Sequence, residues 1–156
     1  MKNRIHRLVA ATALVLAIAP SFGADYAPAT PAANDKLSAA RAQIADSKWV
    51  AAIDELKRVN DTGSADWNSL MGYSHRKAKT PDYAAAERYY DEALRINPQH
   101  RGALEYSGEL YLMTGDLPKA EQRLAALDKA CFLPCQEYTD LKKAVERYKA
   151  NGGKAQ

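Results

Sequence analysis

The residues with the greatest capacity for chemistry are two cysteines, Cys131 and Cys135, separated by Phe-Leu-Pro. In an oxidising compartment such a pair usually forms a disulfide, which here would join the end of one helix to the start of the next. Redox-active pairs have two intervening residues and follow a strand, and neither feature is present here. A metal site needs about four ligands, and no histidine lies nearby in the sequence. The spacing favours a structural disulfide, with thiol–disulfide exchange or metal handling as the alternative function.

Ser74 and His75 stand side by side, but this pair does not suit nucleophilic catalysis. Adjacent side chains on a helix point roughly 100° apart, so the histidine cannot activate the serine. Arg76 also occupies the position at which a nucleophile elbow needs glycine. His100 follows Pro98 in a turn, where we expect a surface or capping role, and the sequence has no glycine-rich phosphate loop. We therefore predict that the protein is not an enzyme and that it uses no cofactor and no metal.

The first residues have the pattern of an export signal. A basic start is followed by an uncharged apolar stretch, Leu8 to Ala19, and then by small residues up to Gly23. A membrane span needs about 20 apolar residues, whereas this stretch has 12. The sequence therefore predicts a signal peptide at 1–23, a periplasmic or secreted location after cleavage, and no integral membrane span in the mature chain.

The charge of the chain argues against a nucleic-acid partner. The formal net charge is +3, from 22 basic and 19 acidic residues. Three basic residues and no acidic ones lie in 1–23, which leaves 19 of each sign after cleavage. Nucleic-acid binding requires a clustered basic face, and the mature composition gives no sign of one.

Helical periodicity begins at residue 34, after an Ala/Pro-rich stretch at 24–33 that predicts a flexible leader. No segment shows the strict alternation of a half-buried strand. Residues 34–149 are predicted to form one domain, followed by a flexible tail at 150–156. The capping and turn residues predict seven helices, at about 35–46, 48–60, 66–79, 81–97, 100–114, 117–131 and 135–149.

A repeat of 34 residues relates three of these helices. Ala52, Ala86 and Ala120 recur at this interval, and each has a large side chain three residues before it and another four residues after it. These positions share one face of a helix, so the small alanine lets a neighbouring helix approach. Glycine inside a helix costs about 1 kcal/mol relative to alanine. We therefore expect Gly72 and Gly108 to permit close contact between the two helices of their pairs.

This pattern resembles the tetratricopeptide repeat, a helix-turn-helix unit of 34 residues, and the chain is similar to small exported bacterial proteins built from such repeats. The resemblance implies an all-α fold, a right-handed stack of helical hairpins. About three repeats are expected, at 34–63, 66–99 and 100–133, followed by a capping helix at 135–149. The signature positions of the family are occupied here by Gly72, Ala86, Tyr90, Ala93, Pro98, Gly108, Tyr111, Gly115, Ala120 and Leu124.

In this family the first helix of each pair lines a concave groove that holds a peptide. The resemblance therefore implies a protein or peptide partner, and an assembly or scaffold role in the bacterial periplasm. It also implies that the groove positions are exposed and that neighbouring repeats bring four of them, at 73, 76, 109 and 112, into one patch. The implied groove residues are Arg41, Ser69, Tyr73, Arg76, Glu105, Glu109 and Leu112.

Overall fold

The computed structural model of the protein describes residues 35–154. The predicted signal peptide at 1–23 and the predicted leader at 24–33 lie outside the described residues, as do residue 34 and the last two residues of the tail. Within the tail, residues 151–153 form a turn that follows the last helix.

Seven helices, and no strand, occupy the described range, and this confirms the predicted all-α fold. No helix among residues 35–154 has both the length and the apolar character needed to cross a membrane. Most boundaries lie within two residues of the predicted ones, and the first helix begins three residues later. The helices are α1 (Ser38–Ala45), α2 (Trp49–Val59), α3 (Ala65–Lys77), α4 (Tyr83–Ile96), α5 (Arg101–Thr114), α6 (Leu117–Ala130) and α7 (Gln136–Ala150).

Polar side chains fix the starts of four helices. The side chains of Ser64, Asp82, His100 and Asp116 each accept a hydrogen bond from the backbone N–H three residues later. Such caps satisfy one of the donors that the first turn of a helix leaves free. Because Asp82 caps α4, this helix begins at Tyr83, two residues later than predicted.

Two helices end where the backbone enters the left-handed region. Gly115 follows α5 with φ of 86°, a conformation that glycine adopts without the steric cost of a Cβ. Asn60 follows α2 with φ of 52°, and asparagine tolerates this region better than most residues. Each of these ends terminates its helix and lets the chain turn toward the helix that follows.

The helices pack as successive pairs, α1 with α2, α3 with α4 and α5 with α6, while α7 packs against both α5 and α6. The repeated alanines Ala52, Ala86 and Ala120 are completely buried. Their burial confirms the register of the 34-residue repeat. On α7 the apolar stripe is also buried, at Leu141, Val145 and Tyr148, so this helix covers the end of the stack as predicted.

The two glycines that interrupt helices make different contacts. A Cβ at Gly72 would lie 2.7 Å from the ring of Tyr90 on α4, so this glycine permits close approach within its own pair, as predicted. A Cβ at Gly108 would lie 2.5 Å from a methyl group of Leu141, which belongs to α7. The prediction that Gly108 accommodates its paired helix is therefore wrong. This glycine accommodates the capping helix α7, which packs against α5.

A polar chain links the starts of successive first helices. Asp66, in the first turn of α3, lies 2.8 Å from an Arg41 guanidinium nitrogen of α1 and 2.8 Å from His100 Nε2. Because His100 Nδ1 accepts the Ala103 N–H, the neutral ring carries its proton on Nε2 and donates it to Asp66. One carboxylate therefore connects α1, α3 and α5. These are the first helices of the three pairs, and we call them the inner helices.

Candidate partner-binding surface

The structure brings together four of the predicted groove residues, Tyr73, Arg76, Glu109 and Leu112. An Arg76 guanidinium nitrogen lies 2.7 Å from a Glu109 carboxylate oxygen. The centre of the same guanidinium lies 5.4 Å from the centroid of the Tyr73 ring. Leu112, one turn after Glu109, lines a pocket with Arg76 and Glu109. The expected patch across neighbouring first helices is therefore present.

Three predicted groove residues are buried, although the resemblance implied that all were exposed. The exposed fraction is 3% for Ser69 and 6% for both Arg76 and Leu112. This expectation is wrong because α3 and α5 contact each other directly, and because α7 packs over α5. The residues on the contacting faces of these helices are enclosed by their neighbours.

Arg41 lies apart from the patch. Its guanidinium contacts Asp66 at 2.8 Å and Asp35 at 3.4 Å, and 43% of its side chain is exposed. Both contacts lie at the amino-terminal ends of α1 and α3. Arg41 therefore belongs to the polar chain between repeats.

Glu105 is half-buried on α5 and lies among carboxylates. Burial raises the pKa of its carboxyl to about 8, and the nearby charges of Glu109, Asp140 and Glu137 act in the same direction. Glu109 is on the same helix, one turn later, whereas the other two acids are on α7. This part of the inner surface therefore carries negative charge that depends on pH near neutrality.

Aromatic rings that the sequence analysis did not assign to the groove extend the patch on both sides. Trp49 contacts Tyr73 edge-on, with ring centroids 5.8 Å apart. Tyr106 contacts Tyr73 from the other side, at 4.6 Å, and lies 5.7 Å from the Arg76 guanidinium. Tyr106 is three residues before Glu109 and so shares its helix face, a spacing that could have identified it. We call Trp49, Tyr73 and Tyr106 the aromatic strip.

A pocket of about 290 Å³ opens between the carboxyl-terminal ends of α3, α5 and α7. We call it the end pocket. Apolar groups contribute to its wall, including Leu112, Met113 and Tyr148. Its charged groups are mostly basic. The basic groups come from the last turns of α3 and α7 and from the residues just after α7, and the single acidic group comes from α5. The charged groups are Arg76, Lys77, Glu109, Arg147 and Lys154.

The two cysteines pair with each other. Cys131 and Cys135 lie at disulfide-bonding distance, with Cα atoms 5.8 Å apart, between the end of α6 and the start of α7. The loop they close exposes two large apolar side chains, Phe132 and Leu133. Among residues 35–154, no group of three or more histidine, cysteine or acidic side chains is placed to hold a metal ion.

A family model described as Tetratricopeptide repeat matches residues 80–131, which include α4, α5 and α6. The predicted tetratricopeptide-repeat family is thereby confirmed over this segment, and the match supports the stacked hairpins of the fold. Such repeats are protein–protein interaction modules and are typically not catalytic. No curated protein and no solved structure matches the chain.

Proposed function

We propose that the protein is an exported interaction module that binds an extended segment of a protein partner along its inner helices, in an assembly or scaffold role in the periplasm. The observation that supports this most is the contact of the aromatic strip with Arg76. Tyr73 and Tyr106 are only partly buried, and both rings lie within 6 Å of the Arg76 guanidinium. Aromatic and arginine side chains are the usual anchors of protein interfaces.

The surroundings of the strip suit a peptide rather than a small cofactor. Partly exposed carboxylates lie beside the rings, at Glu105 and Glu109, and the rings cross from one helical pair to the next. Stacked repeats present extended surfaces of this kind to protein partners. A bound segment could therefore contact aromatic, cationic and anionic groups in successive repeats.

The experiment is a crosslinked pull-down from the cell envelope of the source organism, comparing Tyr73→Ala with Tyr83→Ala. Tyr83 is a matched control, because it is also a partly buried tyrosine but begins the outer helix α4. We expect Tyr73→Ala to reduce partner capture about tenfold or more, which corresponds to roughly 1.4 kcal/mol of binding free energy, and Tyr83→Ala to retain it. Equal capture by both variants, with helicity retained, would contradict the proposed surface.

The proposed location has its own test. The mature protein should begin near Ala24, since the small residues before this position suit signal cleavage. Amino-terminal sequencing of the envelope form would show this start. Finding Met1 on that form would refute export by a cleaved signal.

A further inference from the structure

The end pocket carries basic side chains without internal partners. Lys77, Arg147 and Lys154 line it, all three are exposed, and none forms an ion pair with another residue in the described range 35–154. The carboxylate in the pocket wall, Glu109, is already bound to Arg76 at 2.7 Å. Side-chain ion pairs within the described range therefore do not neutralise these three positive charges.

The negative ends of the helix dipoles offset only part of this positive charge. The ends of α3, α5 and α7 each bring about half a negative charge to the pocket, or roughly 1.5 charges in total. Four basic side chains and one carboxylate give a formal charge of +3. A surplus of about 1.5 positive charges remains, which favours an anionic ligand.

Arg76 is a rigid part of this site. Its side chain is 6% exposed, it lies beside the rings of Tyr73 and Tyr106, and its Nε has no hydrogen-bond partner in the structure. A guanidinium fixed in this way loses little conformational entropy when it meets an anion.

The other wall of the end pocket is apolar. Leu112 and Tyr148 are nearly buried there, while Met113 keeps 39% of its surface exposed. A volume of about 290 Å³ is at the lower limit of ligand pockets. It suits one or two amino-acid side chains better than a large cofactor.

We propose that the end pocket binds an internal acidic residue of the partner together with an adjacent large apolar residue. The carboxylate meets Arg76, Arg147 and Lys154, and the apolar side chain packs on Leu112 and Met113. This inference rests on the proposed interaction function and adds the chemistry of the partner. It also assigns a binding role to α7, which the repeat pattern identified only as a cap.

The test uses fluorescently labelled peptides that are blocked at both ends and contain Glu-Phe or Gln-Phe, so that no terminal carboxylate is present. We expect the full chain to bind the Glu-Phe peptide about tenfold more tightly than the Gln-Phe peptide, a difference of roughly 1.4 kcal/mol. Added salt should reduce this preference, because exposed charges are screened. Equal binding of the two peptides would overturn the proposal.

Variants of the basic residues test whether the preference for the Glu-Phe peptide arises in the end pocket. Arg147→Gln combined with Lys154→Gln should reduce the preference for Glu-Phe to about twofold or less, with unchanged helicity because both side chains are exposed. Lys142→Gln is the matched control, since this lysine is exposed on the same helix but does not line the pocket. Equal loss in the control would overturn the assignment and indicate a nonspecific charge effect.

The two experiments distinguish failure of the end-pocket proposal from failure of the proposed function. If Tyr73→Ala retains partner capture while the double variant loses the preference for Glu-Phe, the aromatic strip is refuted and the end pocket stands. If Tyr73→Ala loses capture while Glu-Phe and Gln-Phe bind equally, the interaction function stands and the acidic site is refuted.

Discussion

Replacing Gly108 by alanine tests the contact that positions the capping helix. A Cβ at this position would lie 2.5 and 2.7 Å from the two methyl carbons of Leu141 and 3.2 Å from its Cγ. Leu141 is completely buried, so it cannot simply turn toward solvent. Either this leucine must adopt another rotamer within a packed core, or α7 must move away from α5.

The expected size of the effect follows from two opposing contributions. Overpacking of a core costs about 1–3 kcal/mol, while alanine in place of glycine inside a helix gains up to about 1 kcal/mol. Gly108→Ala should therefore lower the free energy of unfolding by up to about 2 kcal/mol. Gly108→Leu, which adds more volume, should lower it further.

Gly102 provides the control within the same helix. A Cβ at Gly102 would have its closest neighbour at 3.5 Å, an ordinary van der Waals distance. Gly102→Ala should therefore gain up to about 1 kcal/mol from helix propensity alone. Urea unfolding followed by far-ultraviolet circular dichroism measures both variants. Equal stability of Gly102→Ala and Gly108→Ala would refute the close contact between α5 and α7.

A double-mutant cycle identifies the clashing partner. Leu141→Ala alone should destabilise the protein by about 2–5 kcal/mol, because it leaves a cavity. Combined with Gly108→Ala, the loss should be smaller than the sum of the two single losses, because the added methyl group no longer meets the leucine. Strict additivity would show that another group opposes the Cβ.

Three further predictions concern charge and crosslinking. Since burial raises the pKa of Glu105 from 4.5 to about 8, the native state holds a proton that the unfolded state loses, and the free energy of unfolding should fall as pH rises across this range. Glu105→Gln should remove that pH dependence. Above pH 8 it should raise the free energy of unfolding by only about 1–2 kcal/mol, because solvent screens the half-buried group. Urea titrations at several pH values measure this, and an unchanged pH profile would contradict it. Reducing the Cys131–Cys135 bond should lower the free energy of unfolding by about 2 kcal/mol in thermal unfolding experiments, while helicity persists. Loss of the helices on reduction would show that the disulfide contributes more to stability than this. Arg76→Glu should cost about 3 kcal/mol or more, as it places a second carboxylate beside Glu109 in a largely buried site; a melting temperature equal to that of the wild type would show that the site is open to solvent.

The helices and the repeat register could be predicted from the sequence because their determinants are local. Asp82 and Asp116 cap helices from positions a few residues away, and Gly115 ends a helix through its own backbone conformation. The spacing of Ala52 and Ala86 identifies the face of each helix that is packed against a neighbour. It does so without showing which helix that neighbour is. The patch of Tyr73, Arg76, Glu109 and Leu112 was predicted because the resemblance to the tetratricopeptide repeat places these residues on the first helices of neighbouring pairs, and because each pair of residues on one helix is three positions apart.

The burial of the patch could not be predicted from the same signals. Whether Arg76 faces solvent depends on how closely α3 and α5 approach and on where α7 lies, and these are tertiary properties. The neighbour of Gly108 was misassigned for this reason, because the sequence shows that a helix comes close but not which one. The end pocket was missed because it combines the ends of three helices that are far apart in the chain.

The carboxylate of Asp66 has a consequence for how the protein unfolds. It binds the ring that caps the first turn of α5, and it also binds Arg41 on α1. The start of each later repeat is therefore supported by a residue of the repeat before it. In a linear array, stability is approximately the sum of terms within repeats and terms between neighbours. Because Asp66 and Arg41 are both largely exposed, each contact adds at most about 1 kcal/mol to the term between neighbouring repeats, so we expect Asp66→Ala to increase fraying at the ends of the stack only slightly.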